Sequence, residues 1–283
     1  MKFLKKVMLV FSAVLLLAIA ISAYIIAENY SVTSAHYDIY SNKNKRDFND
    51  FKIAVITDFH NSTNYNMIKK NIQKEKPNII VIVGDTINMH DESFENAKSL
   101  IKGINHLAPT YLTSGNHEIV SIKTKEFLEF AEQNNVSVIN DKIEKIFYKN
   151  SYFNLIGYGD IVYDDPNMRF NVLEDDLKKL HDKVEDKEAF NVLLFHRGNF
   201  GDVVAKYPFD LIISGHIHGG QINLPYVKDY ILKNRFDSIK FCKGFYRIGD
   251  SQLVISGGLE RNLQKPRVFN PPEIVYVRLK SLK

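Results

Sequence analysis

Two stretches of this chain, residues 53–57 (Ile-Ala-Val-Ile-Thr) and Ile79–Val83 (Ile-Ile-Val-Ile-Val), are nearly continuous β-branched apolar runs. A strand with one wet face alternates apolar and polar residues, whereas a continuous run marks a strand covered on both faces. The chain must therefore build a layered fold in which a sheet lies between other elements. A third short run, Thr110–Thr113, follows at comparable spacing.

Between these runs the periodicity changes to helical. Residues 66–74 form one such segment, and residues 93–104 another, with Phe94, Ala97, Leu100, Ile101 and Ile104 on one face and Ser93 placed to cap it. Residues 124–133 form a third, carrying Phe127, Leu128 and Ala131 behind Thr124 as the cap. This alternation predicts βαβ units. Further on, residues 142–148 and 152–158 flank Lys149-Asn150-Ser151 and predict a hairpin, and residues 173–180 predict a helix. Strands are expected at 191–195, 211–214, 221–224, 244–248, 252–256 and 273–279. So many strands are better accommodated by two packed sheets with helices outside than by one sheet.

The first 27 residues differ in character. Lys2, Lys5 and Lys6 precede a run from 7 to 27 that contains no charged residue. As a helix that run spans about 30 Å, the thickness of a bilayer hydrocarbon core. A cleaved signal peptide has a shorter apolar core, and here apolar residues continue through Ile25 and Ile26, past the small residues where cleavage would fall, so an uncleaved anchor is favoured. The leading lysines place the N-terminus in the cytoplasm, making the protein single-pass in the cell membrane with its body outside. Residues 28–50 are polar, hold a basic cluster at Lys43, Lys45 and Arg46, and are expected to link anchor and body with one edge strand near 32–39. Residues 51–283 form the domain proper.

With 283 residues, 45% of them apolar and 25% charged, the body can bury a large core as one domain. The formal charge of +4 comes mostly from the three N-terminal lysines; without them 34 basic residues face 33 acidic ones. That near-neutrality argues against a long nucleic acid as partner. A single cysteine, Cys242, excludes an intramolecular disulfide and any cysteine-based metal cluster.

Function is concentrated at the ends of the apolar runs. Asp58-Phe59-His60, Gly84-Asp85, Gly115-Asn116-His117-Glu118, His196 and Gly215-His216-Ile217-His218 each follow a predicted strand. In open α/β sheets, functional groups gather beyond the carboxyl ends of the strands, so residues far apart in sequence can converge there. Singly, each motif has an ordinary explanation as a turn, a cap or a hydrogen-bonded core histidine. Five together, holding five of the nine histidines, supply carboxylate, amide and imidazole ligands for divalent metals. His36, His90, His106 and His181 do not sit at such positions and are expected at the surface.

The ordered set Asp-x-His, Gly-Asp, Gly-Asn-His-Glu, His, Gly-His-x-His resembles the calcineurin-like metallophosphoesterases over roughly residues 51–279. Gly215-His216-Ile217-His218-Gly219-Gly220-Gln221, with Asn270-Pro271-Pro272-Glu273-Ile274, is similar to their membrane-associated bacterial branch. The resemblance implies an α/β fold, a four-layer α/β/β/α sandwich of two mixed sheets flanked by helices, here preceded by a transmembrane helix. It also implies two divalent ions. Asp58, His60 and His218 would bind one, Asn116, His196 and His216 the other, and Asp85 would bridge them. Imidazole ligands suit Mn, Fe or Zn, with Mn²⁺ the first choice. Such a centre hydrolyses phosphoesters by activating water, and His117, next to a ligand, would be the general acid to the leaving group.

Some residues depart from the family pattern. Where many relatives have a second Asp to orient the catalytic histidine, this chain has Asn88, so Asn88 or Glu118 is expected to take that role. Arg197, after His196, and Arg261, after Gly257-Gly258, are candidates for binding the substrate phosphate. The expected function is hydrolysis of a phosphoester on an envelope lipid, glycolipid or polymer. The alternatives are a nucleotide phosphodiesterase or nuclease, and an inert membrane-tethered metal-binding scaffold.

Overall fold

The computed structural model describes residues 2–44, 46–160, 169–235 and 240–282, so Lys45 of the basic cluster lies outside the described residues. In chain order the elements begin with α1 (Lys2–Asn29), β1 (Thr33–Ser41), β2 (Phe51–Ile56), α2 (Tyr65–Glu75), β3 (Ile79–Val83), α3 (Glu95–Ile104), β4 (Thr110–Thr113), α4 (Asn116–Val120), α5 (Thr124–Gln133) and β5 (Val136–Val138). They continue with β6 (Ile143–Tyr148), β7 (Ser151–Gly157), α6 (Arg169–Asp182), β8 (Asn191–Arg197), α7 (Gly201–Val204), β9 (Leu211–Gly215), α8 (Val227–Arg235), β10 (Gly244–Ile248), β11 (Ser251–Ile255) and β12 (Glu273–Ser281).

Two mixed six-stranded sheets result, ordered β1-β12-β2-β3-β4-β5 and β10-β11-β9-β8-β7-β6. The continuous apolar runs are explained by their two faces. From β2, Ile53 and Val55 point into the core shared by the two sheets, where they join Phe153, Leu155, Val192 and Ile213. Ala54 and Ile56 of the same strand point outward beneath Ile68 and Ile72 of α2 and Leu100 and Ile101 of α3. The second sheet is covered likewise, by Leu173 and Leu177 of α6 packing over Leu193 and Ile212. The architecture is a helix, sheet, sheet, helix sandwich with an N-terminal apolar helix.

Several local expectations are corrected. α3 starts at Glu95 behind Phe94, and α5 starts at Thr124 behind Lys123; neither has a side-chain cap. The Thr124 hydroxyl instead bonds the Glu118 carbonyl, tying α5 to α4. Residues 221–224 make only an isolated bridge, Ile222 to Val268. His181 is not a surface residue: its side chain is 14% exposed and its ring lies edge-on to Phe209, with centroids 6.0 Å apart.

α1 is apolar and exposed along its length, except that Glu28 and Asn29 at its end are buried in the body. Within residues 28–50, β1 pairs in parallel with the whole of β12.

Candidate metal centre

Beyond the carboxyl ends of β2, β3 and β4 the loops are laced together by backbone hydrogen bonds. Asp58 N–H donates to Gly84 O (3.1 Å), His60 N–H to Asp85 O (2.9 Å) and Gly84 N–H to Thr113 O (3.0 Å). Five residues expected as ligands occupy the left-handed backbone region: Asp58 (φ 49), His60 (φ 47), Asp85 (φ 53), His216 (φ 75) and His218 (φ 51). Non-glycine residues there cost on the order of 1 kcal/mol or more, and such strain concentrates where side-chain placement matters.

Glu118 fixes the scaffold. Its buried carboxylate accepts from Asp85 N–H and Gly115 N–H on one oxygen (both 2.8 Å), and from Thr86 N–H (2.6 Å) and Ile87 N–H (3.0 Å) on the other. It therefore points away from His117. Asn88 does not orient His117 either; its Oδ1 lies 3.0 Å from His60 Nδ1. The group that contacts His117 Nδ1 is the backbone N–H of Met89, which donates at 3.2 Å. That bond places the proton of a neutral His117 on Nε2, the nitrogen 4.0 Å from Asp85 Oδ2.

At His196 and His218 the roles reverse, the ring donating from Nδ1. Nδ1 of His196 meets Val83 O at 2.9 Å, and Nδ1 of His218 meets Glu260 Oε2 at 3.2 Å. Nε2 of each then faces inward: His196 lies 3.1 Å from Asp85 Oδ2, His60 3.7 Å from the same oxygen, and His218 3.6 Å from Asp58 Oδ1. Outer partners of this kind set the tautomer that a metal requires. Three groups have ligand atoms within 4.8 Å of one another: Asp58-His60-His218, Asp85-His196-His216 and His60-Asp85-His117. Asn116 Oδ1 is buried without a hydrogen-bond partner. Its unengaged lone pairs and the inward Nε2 set fit divalent cations.

Electrostatics agree. Burial lowers His117 to about 4, against the pull of Asp85. Burial would also lower His196, but the Asp85 and Asp58 carboxylates raise it to about 10. Asp85 is penalised by burial, yet His196 and His60 hold its carboxyl well below the ordinary range. Burial, reinforced by His196 and His60 respectively, pushes His216 and His218 well down. A divalent ion bound to His196 must displace a proton, so loading weakens as pH falls.

A family model described as "Calcineurin-like phosphoesterase" matches residues 51–220. The chain belongs to the calcineurin-like phosphoesterase family. It is 28% identical over 83% of its length to an uncharacterized metallophosphoesterase of Campylobacter jejuni, of which it spans 60%. An uncharacterized metallophosphoesterase of Aquifex aeolicus is 25% identical over 94% of this chain and 98% of its own. Phosphodiesterase YaeI of Escherichia coli is 24% identical over 81% of this chain and 82% of its own. One solved crystal structure shares the fold with a TM-score of 0.50 at 15% identity, over 74% of this chain and 91% of that one. As a calcineurin-like phosphoesterase with these His/Asp groups, the protein is a metal-dependent phosphoester hydrolase.

The two arginines are placed differently from the histidines. Arg197 donates from Nε to both oxygens of buried Asp160 (2.9 and 2.8 Å). The Arg261 guanidinium stacks on Tyr30, 3.1 Å from the ring centroid, just past the end of α1. Neither lines the polar cavity of about 490 Å³ over the site, whose walls include His60, Asn88, His117, His218, Glu260 and Lys265.

Sequence reasoning missed Glu260 and Arg267. The rule that identified the other motifs applied to Glu260 as well, since residues 257–260 lie beyond the carboxyl end of β11. Arg267 is 1% exposed and donates to Gly257 O (2.6 Å) and Glu260 O (2.9 Å), with Nη2 3.5 Å from His218 Nδ1. It holds the loop that carries Glu260.

Proposed function

We propose that this protein is a membrane-anchored phosphodiesterase or phosphomonoesterase that hydrolyses a phosphoester of an envelope lipid, glycolipid or polymer outside the cytoplasm. The observation that carries the catalytic part is the meeting of three imidazole Nε2 atoms, those of His60, His117 and His196, within 4.0 Å of one Asp85 oxygen. Asp58, His60 and His218 would hold one cation, Asn116, His196 and His216 the other, with Asp85 between them, and Mn²⁺ is the expected occupant, with Fe or Zn also suited.

Two divalent ions bound there supply Lewis acidity toward phosphate oxygens and a nucleophile from water near neutral pH. His117, whose Nε2 proton is fixed by the Met89 N–H on Nδ1, would assist departure of the leaving oxygen by hydrogen-bonding it from Nε2. The bond from phosphorus to the ester oxygen breaks, a bond to the water oxygen forms, and the released alkoxide gains a proton as the attacking water loses one. Glu118 and Glu260 hold the backbone and the imidazole in register throughout.

The name of the Escherichia coli relative supports a diester substrate. The exposed apolar α1 supports a single membrane span with residues 51–283 as the catalytic domain outside, in keeping with the resemblance to the membrane-associated branch. The test is the full chain with Mn²⁺ on bis(p-nitrophenyl) phosphate. Turnover that fails in the wild type, or that His117→Ala matches on an alkyl ester, would falsify the assignment.

A further inference from the structure

α1 ends beside the metal centre and is fixed there. Glu28 accepts from the backbone N–H groups of Phe269 and Asn270, and Tyr24 packs on Phe269 with ring centroids 5.4 Å apart. Between α1 and the loops around 222–227 and 268–269 runs an apolar groove of about 690 Å³, with Ile21, Tyr24, Ile222, Leu224, Val268 and Phe269 in its walls. That volume is in the range of ligand sites.

The groove and the polar cavity share one ledge. Gln221 lines the cavity and its neighbour Ile222 lines the groove; Lys265 lines the cavity and Val268 the groove. Val268 N–H donates to Gln221 O (3.2 Å) and Asn223 N–H to Val268 O (2.8 Å), which ties the two segments of the ledge together. An extended molecule with a phosphate at one end and an apolar tail can occupy both spaces at once.

The identity of the tail follows from depth. Positions 20–25 belong to the uncharged run that ends at residue 27, so as a spanning helix they lie within about 10 Å of its outer end, among lipid chains. Leu224 (38% exposed) and Phe269 (52% exposed) extend that apolar surface from the body itself. We infer that the groove seats an acyl chain and that the substrate is a membrane lipid, entering sideways from the outer leaflet with its phosphoester in the polar cavity. The inference rests on the phosphoesterase and membrane-span readings above and narrows their substrate to amphiphiles.

The sequence has no tryptophan, so Leu224→Trp provides a single fluorescent reporter in the groove. With the full chain in phosphatidylcholine vesicles, quenching by lipids brominated on the acyl chain and protection from iodide are expected. Iodide quenching without bromolipid quenching overturns the acyl site, and this readout needs no catalysis. The kinetic arm compares methyl and octyl p-nitrophenyl phosphate diesters with Mn²⁺ in the same vesicles. A buried methylene is worth about fourfold, so the octyl ester should lead by tenfold or more in kcat/KM, and Leu224→Asp should reduce that ratio at least fivefold. An equal ratio in wild type and variant refutes lipid selection. If neither ester is hydrolysed, the phosphoesterase reading fails while bromolipid quenching still decides the groove.

Discussion

Asn29 and Arg267 exchange hydrogen bonds across the whole length of the chain: Asn29 Nδ2 donates to Arg267 O at 2.8 Å, and Arg267 N–H donates to Asn29 Oδ1 at 2.9 Å. Asn29 is fully buried, so the end of the apolar helix is built into the same loop that positions Glu260 against His218. Asn29→Ala leaves a buried N–H and C=O unpaired, at a cost of about 1–3 kcal/mol each. Calorimetry of the full chain should show a fall in Tm of several degrees, and Asn29→Asp, which keeps the acceptor alone, should fall between. An unchanged Tm in Asn29→Ala would show that the clasp contributes nothing.

Glu118→Gln tests the scaffold. The amide oxygen can replace only one carboxylate oxygen, and its NH₂ group faces two backbone donors, so destabilisation of about 2–4 kcal/mol is expected. Because Asp85 N–H is among the four donors, bound Mn²⁺ per chain should fall as well, read by elemental analysis. Full metal content at wild-type stability would rule out the holding role.

His117 is expected to act as an acid and not as a holder of metal. His117→Ala should lower kcat on alkyl phosphoesters by about 10²–10⁴, yet cost much less when the leaving group is p-nitrophenolate, which departs without a proton. Metal content should stay at the wild-type level. Equal losses on both leaving groups would remove the acid assignment.

Gly215 approaches Asp58 too closely for a side chain. A Cβ there would stand 2.4 Å from Asp58 Oδ2, on the carboxylate that also accepts the His216 N–H at 3.0 and 3.1 Å. Gly215→Ala should displace that carboxylate and reduce Mn²⁺ stoichiometry from two toward one, visible in a titration monitored by electron paramagnetic resonance. Retention of two ions at wild-type affinity would contradict this geometry.

His181 supplies a pH dependence remote from the metals. Burial, aided by Lys187, lowers it from its ordinary 6.5. A depressed folded value means that the unfolded chain takes up the proton first, so this contribution to stability is intact above about 6.5 and is lost as pH falls through the folded value. His181→Phe should flatten the decline in denaturant midpoint as pH falls below 6.5. A slope as steep as that of the wild type would place the titration elsewhere.

The layered fold was legible in sequence because burial on both faces leaves continuous apolar runs, as in β2 and β3. The five motifs were legible because strand ends put them in one place. Glu118 was visible as a motif residue, but its direction was not, since the choice between His117 and four backbone donors depends on the loop path around Asp85. The Met89 contact was invisible for a related reason: a backbone N–H carries no side-chain signature. Arg267 carried no such signal: it is tied to the end of α1 through Asn29, and no local pattern links residues 28–29 to 267–270.

β12 lies between β1 and β2, with His36 opposite Tyr276 on one side and Ala54 opposite Tyr276 on the other. During synthesis β1 and β2 emerge long before their common neighbour, by about 10–45 s at ordinary translation rates. In that interval each of the two strands lacks the neighbour that joins them. The first sheet can close only when the last strand is delivered, which makes its folding an end-gated event.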